Sequence, residues 1–202
     1  MPFNAYWYKV RASHRSNTSV NMIKFKKVRQ SDLETIMHWR SSEYISRYLV
    51  TEIEKDISKQ RKWFAEKVKD NHPPKHWIIC MNSLPIGFIS MDQYIEKEST
   101  SWGYYIGEKK FWHMGGLISA YFYNYIFFKR DTHLQKIKGH YFAENLKIKK
   151  LHDYYGCVEV ATLSNHVEKN GVMHDIIYIE MDKDVWLKKQ EKFKNYIANF
   201  EE

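Results

Sequence analysis

The stretch TSWGYYIGEKKFWHMGGLISAYFYNYIFF, Thr100 to Phe128, decides how the chain is read. Thr100 to Ile106 has the pattern of a strand, Gly107 to Gly116 is a loop rich in glycine, and Leu117 to Phe128 reads as an apolar helix. A glycine pair where loop becomes helix lets the backbone come close to a ligand, and the N–H groups of a helix's first turn attract negative charge. Downstream, Leu134 to Tyr141 reads as a second strand and Asn145 to Tyr155 as a second helix, which Gly156 closes in the manner of a left-handed C-terminal glycine. This succession predicts a site for a phosphate-bearing ligand.

Toward the N-terminus, Ile23 to Val28 alternates apolar and basic residues as a short strand does, and Ser31 with Glu34 forms a capping-box pattern. Leu33, Ile36, Met37 and Trp39 then give an amphipathic helix leading to Arg40, with a second short helical piece within Ser41 to Val50. A further helix starts at Asp56 or Ser58, carries Ile57, Arg61, Trp63, Phe64 and Val68, and stops before Asn71, His72 and the Pro73-Pro74 pair. His76 to Met81 and Ile86 to Tyr94 form a hairpin, to which Thr100 to Ile106 adds a third antiparallel strand. Toward the C-terminus, Val158 to Leu163 and Asp175 to Met181 are strands around a loop from Asn165 to Gly171, and Trp186 to Phe200 is a polar helix. The sum is one layered α/β domain with a mixed, mostly antiparallel sheet of about seven strands and helices on both faces.

Composition narrows the function classes. With 44% hydrophobic residues, the 202-residue chain can bury a full core, and its 7 Trp and 15 Tyr need either that core or planar ligands. The two cysteines, Cys80 and Cys157, sit in apolar strand-like contexts and read as reduced thiols of a cytoplasmic protein, and no metal-ligand pattern is present. No apolar run reaches the ~20 residues that span a bilayer, so membrane insertion is not expected. The net charge of +8 suits a polyanionic partner, but the lysines are scattered among acids and accompany no nucleic-acid motif, which favours phosphorylated small molecules over nucleic acid. Residues 1–21 read as an arm or extension, 22–186 as the main domain, and 187–202 as a C-terminal helix.

The strand, glycine loop, helix, strand and Asn helix together resemble the GNAT superfamily of acyl-CoA-dependent N-acetyltransferases. The branch most similar contains the nucleotide-aminosugar and the ribosomal-protein N-terminal acetyltransferases. The resemblance rests on Trp39-Arg40 at the end of the first helix, on Phe111-Trp112-His113-Met114-Gly115 in place of an aromatic-Trp-Gly-x-Gly loop, and on Asn145 to Cys157 in place of an Asn-x-x-Ala helix ending in Tyr-x-x-x-Gly-Phe. It implies a splayed central strand pair with acetyl-CoA as co-substrate in the opening. The residues expected to hold it are Tyr104, Tyr105 and Ile106 on the strand, His113, Met114, Gly115, Gly116 and Leu117 on the loop and helix start, and Asn145 and Lys147 on the next helix.

The same resemblance implies direct transfer of the acetyl group to an amine. The position at which the family often carries a proton-donating Tyr is His152 here, so His152 is the expected general acid, and His140 at the second strand's end is a candidate base. An N–H near Tyr141 or Phe142 is the expected oxyanion donor. The acceptor wall is expected to include Arg40, Leu49, Gln60, Trp63, Ser90 and Trp102, and to take a nucleotide-linked aminosugar, such as a UDP-4-amino-dideoxysugar used in bacterial surface glycans. Two alternatives stand beside this reading: a protein N-terminal or small-amine acetyltransferase, and a non-catalytic acyl-CoA or nucleic-acid-binding module. The oligomeric state is open, with a homodimer among the options.

Overall fold

The computed structural model describes residues 23–71 and 75–202. The arm expected at residues 1–21 and the proline stop within 72–74 lie outside the described residues. Eight strands form one sheet: β1 (Ile23–Lys27), β2 (His76–Met81), β3 (Leu84–Ile95), β4 (Ser99–Ile106), β5 (Lys136–Phe142), β6 (Val158–Lys169), β7 (Val172–Asp182) and β8 (Asn199–Phe200). Their order across the sheet is β6-β7-β5-β4-β3-β2-β1-β8, antiparallel except at β4–β5 and β1–β8. The sheet is therefore mixed and mostly antiparallel, as the sequence pattern predicts.

Helices cover both faces because the central strands bury both of their faces. On β2, Trp77, Ile79 and Met81 join one core cluster while Ile78 and Cys80 join another. The first cluster packs beneath α4 (Gly115–Tyr125) and α6 (Lys183–Phe193), through residues such as Phe122, Tyr123 and Trp186. The second packs beneath α1 (Leu33–Ser41), α2 (Glu43–Ser46) and α3 (Ile57–Lys67), through Ile36, Trp39 and Ile45. The remaining helix, α5 (Leu146–Tyr155), lies over β5 and β7 through Ile148 and starts on an Asn145 side chain that accepts the Ile148 N–H at 3.3 Å. Gly156 ends it at φ +91°, the left-handed position expected from the sequence.

Three local expectations change. The helix expected over Trp186 to Phe200 stops at Phe193, and the chain goes on to add β8 alongside β1. Aromatic stacking holds that last strand: the Phe200 ring lies 3.9 Å from Phe25 and 3.8 Å from Tyr125, nearly parallel to both. The loop expected from Asn165 to Gly171 shrinks to the Asn170-Gly171 turn, where both residues have positive φ, and the strands on either side lengthen into one hairpin. At the start of α1, the Asp32 carboxylate accepts the Arg29 N–H at 2.8 Å, so Asp32 makes the backward contact expected of Glu34.

Candidate active site

The feature that creates a site is a gap between β4 and β5. These parallel strands pair only over Ser99–Ser101 and Lys136–Lys138, then part. The alternation of ladder bonds identifies the groups that face the gap. The Gly107 N–H donates to the Ile86 carbonyl at 2.8 Å, so the odd residues of β4 bond to β3 and the even ones, Trp102, Tyr104 and Ile106, turn their backbone groups toward β5. On β5, the Ala143 N–H donates to Asp175 and the Lys183 N–H to Gln135, so odd residues bond to β7 and the His140 and Phe142 backbones face the gap. Two strand edges thus face each other beyond their last shared pair. A ligand with its own amide groups can bond to such edges as an added strand does, and this is the fit expected of acetyl-CoA.

The gap opens into a cleft of about 920 Å³. At one end, α4 follows a tight helical turn, Lys109–Met114. Its start is held from several sides: the Tyr104 hydroxyl donates to the Gly115 carbonyl at 2.9 Å, and the Tyr155 hydroxyl donates to that of Gly116. The beginning of the loop is fixed by Trp39, whose indole covers Gly107 so closely that a Cβ there would sit 2.2 Å from the ring. Trp39 Nε1–H donates to the Glu108 carboxylate at 3.0 Å, and the Tyr44 hydroxyl donates to the Gly107 carbonyl at 3.0 Å. The tight turn already engages the Gly115 N–H with the Trp112 carbonyl. Not every N–H expected to be open for phosphate is free in this conformation.

Of the residues expected at the cofactor side, Tyr104, Tyr105, Ile106, His113, Gly115, Gly116, Asn145 and Lys147 border the cleft. Met114 and Leu117 do not. Met114 lines a separate, smaller cavity with Leu84 and Phe111, and Leu117 is half-buried on α4. Tyr105 changes sides: its ring stacks on Phe88 and meets Trp39 edge-on, within the cluster beneath α1, so its side chain belongs to the acceptor wall.

That wall has an unusual electrostatic character. Arg40, Arg47 and Lys147 border the cleft, and among the described residues no Asp or Glu does. Arg40 donates from Nη2 to the Thr51 hydroxyl at 2.8 Å, while its buried Nε has no partner among the described residues. The Tyr105 hydroxyl is likewise buried with no partner among the described residues. Burial raises the Tyr105 phenol well above its ordinary range, which keeps it a hydrogen-bond donor. Leu49 and Ser90 border the cleft as expected.

Gln60 and Trp63 are not brought to the cleft. Trp63 sits edge-on to His76 with centroids 5.5 Å apart and packs near Phe88, because the buried face of α3 is used on the sheet. Trp102 borders the cleft, but its ring lies flat on Phe122 at 4.7 Å in the core beneath α4, so its ring is largely committed to packing. A residue that sequence reasoning missed is Lys169. Its buried Nζ donates to the Ser46 carbonyl at 2.6 Å and to that of Leu49 at 2.7 Å, so the β6–β7 hairpin ties down the segment forming the cleft's rim.

Both candidate histidines border the cleft. His152, the expected general acid, is buried on α5. Burial pushes His152 down to about 4, so the ring is neutral near pH 7 and holds no proton acidic enough to give away readily. Its ring stacks on Tyr141 at 5.6 Å, and its Nδ1 lies 3.6 Å from Cys157 Sγ. His140 opens onto the cleft, whose walls remove enough water to lower its pKa, so it is also neutral and able to accept a proton. Among the described residues no cluster of three or more His, Cys, Asp or Glu could hold a metal ion. No described helix is long and apolar enough to cross a membrane.

Comparison with known proteins agrees with this architecture. The profile of the acetyltransferase (GNAT) domain matches residues 23–158. An acetyltransferase of the GNAT family from Bacillus anthracis superposes with a TM-score of 0.65 at 13% identity, over 82% of this chain and 98% of its own. The Vibrio cholerae spermidine N-acetyltransferase in complex with CoA and spermine gives 0.69 at 19% identity, over 82% and 98% of the two chains. No curated protein matches the sequence.

Proposed function

From the premise that this chain belongs to the acetyltransferase (GNAT) domain family, and is thus an acyl-CoA-dependent acetyltransferase, we propose that it acetylates the amino group of a nucleotide-linked aminosugar, a building block of bacterial surface glycans. The observation that carries this reading is the acceptor wall. Among the described residues, Arg40 Nε and the Tyr105 hydroxyl are buried donors without partners, in a cleft bordered by cations and by no carboxylate. A buried donor left unmatched costs free energy, and an acceptor molecule bearing phosphate oxygens would match both. A polyamine or a protein N-terminus brings positive charge instead, which Arg40 and Arg47 oppose.

The co-substrate, when bound, supplies an acetyl thioester. The residues placed to hold it are the gap-facing edges at Trp102, Tyr104 and Ile106, with Gly115 and Gly116 at the start of α4. This chain's own groups then have separable tasks. Arg40 and Tyr105 bind and orient the acceptor. His140, neutral and open to the cleft, takes the proton the amine must lose. The Phe142 N–H, turned into the gap, donates to negative charge that develops on the acyl oxygen. Orientation within the cleft supplies much of the rate, since no covalent enzyme intermediate is needed.

The test is thiol release from acetyl-CoA with three sets of acceptors: UDP- and dTDP-linked 4-amino-dideoxysugars, polyamines, and short peptides with free N-termini. Turnover confined to the nucleotide sugars is expected. Turnover with spermidine or peptides at higher kcat/KM than with any nucleotide sugar refutes the assignment of acceptor.

A further inference from the structure

Cys157 is a half-buried thiol with no task in the reaction described above, and it stands between two side chains from different helices. The Tyr123 oxygen of α4 lies 3.5 Å from Cys157 Sγ, and His152 Nδ1 of α5 lies 3.6 Å from the same sulfur, both within reach of a sulfur hydrogen bond. We infer that Cys157 is a positioning residue that selects the His152 tautomer carrying its proton on Nε2 and presents that N–H to the cleft. This rests on the reading of the chain as an acetyltransferase, and adds to it that His152, which borders the cleft, meets the departing thiolate.

A neutral imidazole has one N–H, and the partner of one nitrogen decides which atom carries it. Burial pushes the Cys157 thiol up to about 11 and Tyr123 well above its ordinary value, so both keep their protons. The sulfur therefore holds one hydrogen to give. The Tyr123 hydroxyl can donate to sulfur, and the S–H donates to Nδ1, which has no hydrogen of its own. The His152 ring is clamped against Tyr141, and the ring borders the cleft, so Nε2–H is the group left for the ligand.

The chemical consequence differs from general acid catalysis. In the transfer, the amine nitrogen bonds to the acyl carbon and the carbon–sulfur bond breaks, with the bonding pair leaving on sulfur. The amine's proton goes to His140. His152 keeps its own proton and donates a hydrogen bond to the departing thiolate, which is later protonated from solvent. A desolvated neutral imidazole suits that task, because the hydrogen bond forms with charge that exists only as the bond breaks.

The full chain, labelled with 15N in histidine, tests this directly by long-range proton–nitrogen correlation at neutral pH. The expected signature places the His152 proton on Nε2 in the parent protein and in Cys157→Ser, whose hydroxyl can donate in the same way, and shifts the population toward Nδ1–H in Cys157→Ala. With the acceptor that turns over, Cys157→Ala should lower kcat by about five- to tenfold, the loss of one hydrogen bond, leave both KM values in place, and regain rate in Cys157→Ser. An Nδ1–H ring in the parent protein overturns the inference, whether or not the variants fold. Cys157→Ala at parental kcat, while His152→Phe loses activity, overturns it alone. His152→Phe at parental kcat removes His152 from the reaction and the inference with it.

Discussion

Replacing Tyr105 by Phe removes one oxygen, and under the proposed function that oxygen has opposite effects with and without acceptor. In the free protein the hydroxyl is buried with no partner among the described residues, and the ring is already packed on Phe88 with centroids 5.6 Å apart. Phenylalanine keeps the packing and removes an unmatched donor whose burial costs about 1–3 kcal/mol. For a chain of this length each kcal/mol moves Tm by roughly 2–4 °C, so Tyr105→Phe should melt about 2 °C or more above the parent protein. With the acceptor bound the sign reverses. A lost hydrogen bond to an anionic oxygen is worth about 1.5–3 kcal/mol, so KM for the acceptor should rise by roughly 10- to 100-fold, with acetyl-CoA affinity unchanged. Calorimetric melting of the ligand-free protein and steady-state thiol release measure the two arms. A lower Tm in Tyr105→Phe would show that the hydroxyl has a structural partner, and an unchanged acceptor KM would remove Tyr105 from the acceptor wall. Either result refutes the reasoning.

Stability should fall as pH drops from about 6.5 toward 4, because the unfolded chain's His152 takes up a proton there while the folded one, held at about 4, does not. That group alone amounts to about 3 kcal/mol across the window. His76 and His140, both lowered by burial, act in the same direction. Urea denaturation at pH 7 and pH 4.5 should therefore show a smaller loss for His152→Phe than for the parent, and equal losses would contradict the burial argument. Gly107→Ala places a Cβ 2.2 Å from the fully buried Trp39 ring and should cost about 3 kcal/mol or more by overpacking, read from the denaturation midpoint. A Cβ at Gly115 would meet only Ile106 Cγ1 at 3.5 Å, so Gly115→Ala should fold while losing at least about tenfold in acetyl-CoA affinity by calorimetry; parental affinity removes Gly115 from the cofactor site. Lys169→Met removes the ammonium from the Leu49 carbonyl and leaves the Ser46 carbonyl with the Leu49 N–H alone, so it should lower stability by about 1–3 kcal/mol and raise acceptor KM, with acetyl-CoA binding intact.

What could be read from the sequence follows the distance over which each feature is determined. Asn145 and Gly156 were legible as the two ends of α5 because caps depend on a few neighbouring residues. The glycine loop and its flanking strand and helix were legible for the same reason. The Asn170-Gly171 turn also carries a local signal, but reading a loop back to Asn165 hides it. The neutral state of His152 was not legible, because it comes from packing against Tyr141 of β5 and Cys157 beyond α5, and position alone suggests an ordinary imidazole. Lys169 was out of reach for the plainest reason: the Leu49 carbonyl it binds is 120 positions away in the chain. Gln60 and Trp63 show the converse limit, since a helix of the expected length and face still spends its aromatic residue on the sheet.

The division of labour in the site follows from the two-residue period of one strand. Along β4, Trp102 and Tyr104 send their side chains beneath α4, and the same even residues turn their backbones into the gap. Tyr105, between them and Ile106, sends its side chain the other way, beneath α1 and beside the acceptor wall, and spends its backbone on β3. In the proposed function, a single strand thus offers backbone to one substrate and a hydroxyl to the other. The register is pinned by close contacts that leave little freedom to slip: a Cβ at Gly87 would lie 2.3 Å from the Tyr105 carbonyl oxygen, and the strand ends where Trp39 covers Gly107. A slip of one residue would exchange the two sets, burying the Tyr105 hydroxyl under α4 and turning Tyr104 toward Arg40. Gly87 across the ladder and Gly107 at the strand's end therefore bear on the proposed acceptor wall through the register of Tyr105.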